Sequence, residues 1–292
     1  MLQLREDWPS PVPGPDQVSI KVTSAGVNFA DVNAVRGTYP SPPPPFIPGL
    51  EVAGIERETG RPVVAQVPFG GFAEEAVAPR SLVFDAGRLD LLEAGGYALV
   101  TLTCFLALAH VARLQKGESL LVLAAAGGVG STAIQVARAL GAGTIVGVAS
   151  TPEKGAHALA QGADVALGYE DDFPAADVVL DGVGGDAFLK AYHATGVFGR
   201  MILLGASSGR PPELPDFRTL RDKSVAVMPF SFGALRRERP DLTAKLAPEG
   251  FRLLHEGLVK PPVGRRYPLA EGGAALRALA ARETVGKLVL VP

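Results

Sequence analysis

The pattern of apolar and polar positions changes character twice along the chain. Over the first hundred residues it forms short runs, Gln17–Ser24, Leu50–Ile55, Pro62–Val67 and Phe72–Ala78, separated by turn residues. Such runs predict β-strands. Between the first two, Tyr39–Gly49 (YPSPPPPFIPG) is a stiff extended loop, because proline lacks the N–H that a strand ladder or helix interior needs. Beyond Gly117 apolar strands alternate with helices. Ser119–Ala124, Thr144–Ala149, Val165–Leu167, Asp177–Asp181, Arg200–Leu204 and Ser224–Met228 read as strands, and Gly130–Leu140 and Pro152–Gln161 as helices. Wholly apolar strands alternating with helices imply a parallel sheet covered on both faces, and six of them match a doubly wound dinucleotide fold. The tail differs again: Thr243–Glu256 and Ala270–Ala281 read as helices and Lys287–Val291 as a last strand. It has little core of its own and is expected to pack back on the N-terminal β region.

Composition narrows the function. The 292 residues carry a net charge of −2 with no basic stripe, so neither nucleic-acid nor anionic-membrane binding has electrostatic support. A 47% hydrophobic content is enough for a packed core. The most apolar stretch, Tyr97–Ala112, is too short to span a bilayer and reads as a buried helix. One cysteine excludes a disulfide framework and any multi-cysteine zinc or iron–sulfur site, and fits a cytoplasmic location. The histidines, His110, His157, His193 and His255, lack metal-ligand spacing.

The strongest motif is Leu121–Thr132, LVLAAAGGVGST. A strand runs into Ala124-x-x-Gly127-x-x-Gly130 and a helix opens at once. Glycines here let backbone approach a pyrophosphate and let helix and strand pack closely, while the helix N-terminus attracts phosphate. The first position is Ala124 where the strict fingerprint has glycine. The second strand ends Gly147-Val148-Ala149-Ser150-Thr151 with no acid to hold ribose hydroxyls, and Lys154 follows in the next helix. Small hydroxyl residues and a lysine suit a 2′-phosphate, which favours NADPH over NADH. Ser150 or Thr151 would also cap the helix begun at Pro152. Gly205-Ala206-Ser207-Ser208-Gly209 matches a nucleophile elbow in letters, but Arg210-Pro211-Pro212 follows instead of a helix, so a serine hydrolase is rejected.

Several motifs together carry a resemblance: Gly26-Val27-Asn28-Phe29-Ala30-Asp31, Pro45-Phe46-Ile47-Pro48-Gly49-Leu50-Glu51-Val52-Ala53-Gly54, Leu102-Thr103, AAAGGVGSTAIQVARALGA, DVVLDGVGG and Gly286-Lys287-Leu288-Val289-Leu290. The chain resembles the zinc-free quinone oxidoreductase (zeta-crystallin-like) branch of the medium-chain dehydrogenase/reductases over nearly its whole length. The resemblance implies an α/β protein: a Rossmann doubly wound parallel sheet plus a GroES-like, partly open β-barrel domain. The barrel domain would be residues 1–100 completed by 233–292, with the NADP-binding domain at 101–232. Zinc-dependent relatives have a histidine before the glutamate of the second motif; Leu50 stands there before Glu51, so no metal is expected.

By the same resemblance Asn28, Tyr39 and Thr103 would lie by the nicotinamide and substrate. Lys154, Tyr169 and Arg282 would hold the 2′-phosphate. Ala126, Gly127, Gly128, Val129, Gly130, Ser150, Thr151, Gly205, Ala206 and Phe230 would complete the cofactor contacts with Thr103. The implied reaction is hydride transfer from NADPH to a quinone or related activated acceptor, with Asn28 and Tyr39 as hydrogen-bond donors in place of zinc. An enoyl or alkenal double-bond reductase and a non-catalytic NADPH-binding protein remain the alternatives. A homodimer through the strand near Val225–Met228 is expected, because an apolar sheet edge is usually covered.

Overall fold

The computed structural model describes residues 2–292. The chain divides into two compact units. One comprises the first hundred residues with Leu235–His255 and Pro261–Pro292; the other comprises Thr101–Ala234 with Glu256–Lys260.

The first unit is a seven-stranded sheet. Its strands are β1 (Gln17–Val27), β2 (Glu51–Glu56), β3 (Pro62–Gln66), β4 (Glu75–Pro79), β5 (Val83–Asp85), β12 (Val263–Pro268) and β13 (Lys287–Val291). They run in the order β12-β13-β1-β2-β3-β5, with β4 paired to β1. The sheet is not a closed barrel. Alternation decides its buried face: Val18, Ile20, Val22, Val52, Val63, Ala65, Leu288 and Leu290 form one apolar cluster with Phe72, Tyr267 and Leu276. A register break between Val22 and Ser24 in the β1–β2 pairing shifts the phase, so Ala25 and Val27 face the cluster instead of Ser24 and Gly26. Glu51 precedes Val52 and Lys287 precedes Leu288, so both side chains leave on the opposite face. Helices α1 (Phe29–Val35) and α10 (Gly272–Ala280) pack together, and α2 (Leu91–Ala94) covers β1 and β2. Helix α9 (Pro240–His255) stacks Phe251 on Phe84, ring centroids 4.3 Å apart.

The second unit is a six-stranded parallel sheet built from β6 (Leu120–Val122), β7 (Ile145–Val148), β8 (Val165–Leu167), β9 (Ala176–Asp181), β10 (Thr195–Leu203) and β11 (Ala226–Pro229). The order β11-β10-β9-β6-β7-β8 reverses direction at β6, the arrangement that opens a crevice at the strands' carboxyl ends. Helices α4 (Gly128–Ala139), α5 (Pro152–Ala160) and α6 (Gly185–Ala194) link successive strands, and α7 (Phe217–Lys223) precedes β11. Helix α3 (Ala98–Phe105) continues into a π-helical turn, Leu106–Val111. Helix α8 (Phe232–Glu238) follows β11. Among the described residues no helix is long and apolar enough to cross a membrane.

Three departures from the sequence reading have local causes. β1 runs on to Val27, because the bulge breaks the alternation that would mark its last residues. β12 carries Arg265 and Arg266 on an exposed edge, so its apolar pattern is absent although it pairs with β13 over Val263–Pro268. β11 starts at Ala226, because Ser224 takes a left-handed conformation (φ 53°) to end α7.

Candidate active site

The glycine loop shows what its residues are for. β6 delivers the chain into a turn in which Ala124 adopts φ 51°. That left-handed geometry costs a residue with a Cβ roughly 1–2 kcal/mol, so Ala124 occupies a position suited to glycine. The turn is held by the Ala124 N–H donating to the Tyr169 hydroxyl, 3.1 Å away. A Cβ on Gly130 would lie 2.4 Å from the Ala124 carbonyl oxygen, so only glycine allows α4 to start this close to the strand. Gly127 precedes the helix without a side-chain cap, and the first backbone bond runs from Ser131 to Gly127. The opening N–H groups of α4, on Gly128, Val129 and Gly130, have no partner within the helix, as at any helix start.

The other expected cofactor residues in this unit fall around the same end of the sheet. Thr151 caps α5, its hydroxyl accepting from the Lys154 N–H at 3.3 Å, and Ser150 precedes it two residues beyond β7. Tyr169 lies just beyond β8. Gly205 and Ala206 follow β10 in a loop tied back by the Ser207 N–H to the Gly182 carbonyl, 2.9 Å. Phe230 follows β11 and donates its N–H to Leu203. Thr103 lies on α3 beside Cys104, whose thiol donates to the Val129 carbonyl at 3.3 Å, so α3 is fixed to the start of α4. Arg282 belongs to the first unit, beyond α10, with φ 59°.

A second constellation lies on the face of the first unit's sheet opposite its apolar cluster. Glu51 is fully buried and Lys287 is 4% exposed. Lys287 Nζ donates to Glu51 Oε1 (2.9 Å), to Asn28 Oδ1 (2.6 Å) and to the Val27 carbonyl (3.2 Å). Glu51 Oε2 accepts the Leu99 N–H at 2.8 Å. Gly26 makes room: a Cβ there would lie 2.3 Å from Glu51 Oε1. Asn28 donates its two amide hydrogens to Glu51 Oε1 (3.0 Å) and to the Gly26 carbonyl (3.2 Å). The orientation of its amide follows from its partners, since an ammonium only donates and a carboxylate only accepts. Both amide hydrogens of Asn28 are thus engaged within the buried group.

Asp31, fully buried in α1, accepts the Asn28 N–H (2.8 Å) and the Gly49 N–H (3.1 Å). Burial pushes its carboxyl up to about 7, against the pull of those N–H groups and Lys287. The sequence reading assigned no role to Lys287, although it quoted its motif, and it passed over Arg236 altogether. Arg236 in α8 is only 8% exposed, and its Nη1 donates to the carbonyls of Leu50 (3.1 Å) and Val67 (3.0 Å). Tyr39 faces its guanidinium, and Asp31 and Glu51 act on it at longer range; burial pulls its pKa down and these neighbours push it back up. A lone arginine among Arg237, Glu238 and Arg239 carries no sequence signal, because such a run reads as a solvated helix end. Among the described residues no group of three or more His, Cys, Asp or Glu side chains is arranged to hold a metal ion.

Three outcomes follow from this geometry. Lys287→Met leaves Glu51 buried without its cation and is expected to lower unfolding free energy by about 3–5 kcal/mol in denaturant titration. The Glu51→Gln/Lys287→Met double variant should lose less than Lys287→Met alone. Because Asp31 binds its proton more tightly folded than unfolded, its stabilising effect is present below about pH 4 and lost as pH rises through about 7. Unfolding midpoints across that range should therefore fall in the wild type relative to Asp31→Asn. Tyr169→Phe should lower cofactor-free stability by about 1 kcal/mol, through loss of the bond to Ala124; an unchanged stability would reduce Tyr169 to a ligand contact.

Similarity to known proteins identifies the family. Residues 14–87 match the alcohol dehydrogenase GroES-like domain family and residues 128–247 the zinc-binding dehydrogenase family. The chain is 31% identical to the quinone oxidoreductase of Pseudomonas aeruginosa, over all of this chain and 96% of that protein. The crystal structure of the quinone oxidoreductase from Thermus thermophilus, solved with and without NADPH, superposes with a TM-score of 0.87 at 34% identity over 98% of this chain and 95% of that one. The Escherichia coli quinone oxidoreductase complexed with NADPH gives a TM-score of 0.87 at 27% identity over 99% and 95%. With a Rossmann sheet and a GroES-like unit in one chain, and relatives this similar along its full length, the protein belongs to the quinone oxidoreductase branch of the medium-chain dehydrogenase/reductases.

Proposed function

We propose that the protein is an NADPH-dependent oxidoreductase that reduces quinones or related activated acceptors without zinc. The observation that carries this reading is the phosphate cradle of the second unit: an uncapped α4 N-terminus, and a β7 followed by Ser150 and Thr151 with Lys154 in the first turn of α5. The free helix N–H groups suit a pyrophosphate. The lack of an acid in Ala149-Ser150-Thr151, which follow β7, together with Lys154 and with Tyr169 just beyond β8, suits a 2′-phosphate. The NADPH complexes of the Thermus and Escherichia coli relatives support the same cofactor. Lys154, Tyr169 and Arg282 would hold the adenosine phosphate, and Ala126 to Gly130 the pyrophosphate. Thr103, Gly205, Ala206 and Phe230 would position the nicotinamide. When bound, NADPH supplies a hydride.

The chain's own part is to hold the acceptor and stabilise the negative charge that hydride delivery places on its oxygen. Zinc has no obvious place in that task. Leu50 brings no donor to the position where zinc-dependent relatives have histidine, and both carboxylate oxygens of Glu51 are already hydrogen-bonded. Quinones and enones are electrophilic enough to react without a metal. The exposed edge of β11 is the surface on which a second copy would pair to make a homodimer.

Following NADPH absorbance with 1,4-quinones beside 2-alkenals tests the reading. Faster turnover of quinones supports it, faster turnover of alkenals supports a double-bond reductase, and tight NADPH binding without turnover of either overturns both. Lys154→Ala and Arg282→Ala should each weaken NADPH by about 10- to 100-fold, because each removes a charged hydrogen bond, and leave NADH nearly unchanged. Equal weakening of the two cofactors would contradict the assigned 2′-phosphate site.

A further inference from the structure

In the second unit a histidine of α5 is bonded to the first turn of the glycine-loop helix. Ser131, the fourth residue of α4, is fully buried. Its Oγ lies 3.3 Å from the Ala125 carbonyl oxygen and 3.0 Å from Nε2 of His157 in α5. A hydroxyl has one proton to give, and a carbonyl can only accept. The Ser131 proton therefore goes to Ala125, and the Nε2–H of His157 donates to Ser131. The neutral ring is thus the Nε2–H tautomer, and Nδ1 is the nitrogen that takes up a proton. Among the described residues Nδ1 has no hydrogen-bond partner, and the side chain is only half-buried, so water reaches it. Protonation adds a charge there without breaking the bond to Ser131, because Nε2 donates in both forms.

The pair stands about one turn in from two helix starts. Ser131 follows Gly128, Val129 and Gly130, and three residues of helix cover about 4.5 Å. His157 lies three residues beyond Lys154, on the same side of α5 and about 4.5 Å further along its axis. An imidazolium at this place is within about 10 Å, one Debye length in 0.1 M salt, of an anion at either start. Its neighbours keep the ring neutral until such an anion arrives. α5 packs on α4, β7 and β8. β7 and β8 carry no titratable side chain. α4 brings only Arg138, which is paired with Asp164, and the main chain of Lys260 meets Gln135 on that helix. α5 itself carries Lys154 and Glu153, the latter bonded to the Thr151 side chain. No carboxylate meets the imidazole, and burial holds its pKa below the ordinary histidine value.

We propose that His157 is a specificity-determining residue of the cofactor site: it takes up a proton at Nδ1 as NADPH binds, and so favours NADPH over NADH. This rests on the reading that puts the pyrophosphate at the start of α4 and the 2′-phosphate at the start of α5. NADH brings the pyrophosphate alone. NADPH adds a phosphate monoester carrying about −1.5 to −2 charges near neutral pH. Nearby anions favour the charged form of an imidazole, and the proton comes from solvent. The direction with pH follows by linkage. The cofactor raises the pKa of the ring, so the added affinity is complete below the midpoint of the free protein. It is lost as pH rises through the higher midpoint of the complex. Lys154, by contrast, keeps its charge throughout that range and supplies a part of the selectivity that does not change with pH.

The test reads binding and protonation rather than turnover. The chain has four histidines, few enough for their ring C–H signals to be followed by NMR, and His157→Gln identifies the signal of His157. NADP+ should raise the proton affinity of His157 about three- to tenfold, and NAD+ should raise it less. By calorimetry, NADPH affinity should fall between about pH 6 and about pH 8.5 by ~3- to 10-fold more in the wild type than in His157→Gln. For NADH the two proteins should stay within about twofold of each other. Comparing them cancels the titration of the cofactor's own phosphate near about pH 6. Glutamine keeps an N–H donor for Ser131 without the charge, so a residue that merely ties α5 to α4 would leave both pH profiles alike. Alike profiles, or a His157 signal that titrates identically with and without NADP+, would overturn the proposal. Should His157→Gln fail to fold, Ser131→Ala identifies the signal by displacing it, and the wild-type titrations decide. Lys154→Ala separates this inference from the reading beneath it. If that variant binds NADPH as the wild type does, the placement of the phosphates fails and the inference with it. If it binds NADPH weakly while His157 ignores the cofactor, the inference alone fails.

Discussion

A carboxylate and an ammonium sealed inside the first unit set the terms for everything around them. Neither Glu51 nor Lys287 could be buried alone, because a lone ion in that environment would cost several kcal/mol. Each is saturated: Lys287 spends its three protons on Glu51, Asn28 and the Val27 carbonyl, and Glu51 accepts from Asn28 and the Leu99 N–H as well. Meeting those demands joins β2 to β13, fixes the end of β1 and holds α3's first turn. It also explains Gly26, since any side chain there would displace the carboxylate. The pair is thus a geometric constraint first. Its net contribution to stability is smaller than its distances suggest, because two desolvated charges offset much of their own attraction.

The same constraint assigns the polar residues their roles. Asn28 sits where the family motif puts a site residue, and its amide joins the buried pair. Arg236 is buried beside it in a different way, with two N–H groups spent on the main-chain carbonyls of Leu50 and Val67. In the second unit, Tyr169 shows a related economy of placement. Its hydroxyl supports the strained Ala124 turn and lies at the end of the sheet where an adenosine phosphate would be held. One phenol therefore links the shape of the glycine loop to the region that would select the cofactor.

Much of this architecture was legible in the residues. The apolar strands from β6 to β11 announce themselves because both faces of a parallel sheet are covered, and the glycine loop shows through because phosphate chemistry demands small residues at fixed spacing. What escaped did so for physical reasons. β12 lies at an edge, and Arg265 and Arg266 face outward, so it has no apolar run. The bulge near Val22 reverses the alternation within β1. Lys287 is separated from Glu51 by 236 residues, and no local pattern reports a pairing at that distance. Arg236 looks like its exposed neighbours, and only the approach of the Leu50 and Val67 carbonyls shows that it is buried.

That separation has a bearing on how the chain reaches its folded state. Thr101–Ala234, nearly all of the second unit, is one uninterrupted stretch whose strands pair only with one another. The first unit, by contrast, is not finished until β13 (Lys287–Val291) has been made. As the chain emerges from the ribosome, Glu51 remains hydrated and without its cation until residue 287 has been made, and Asn28 has nothing to hold it. The dinucleotide unit can close long before that moment, while the first unit waits for its last strand.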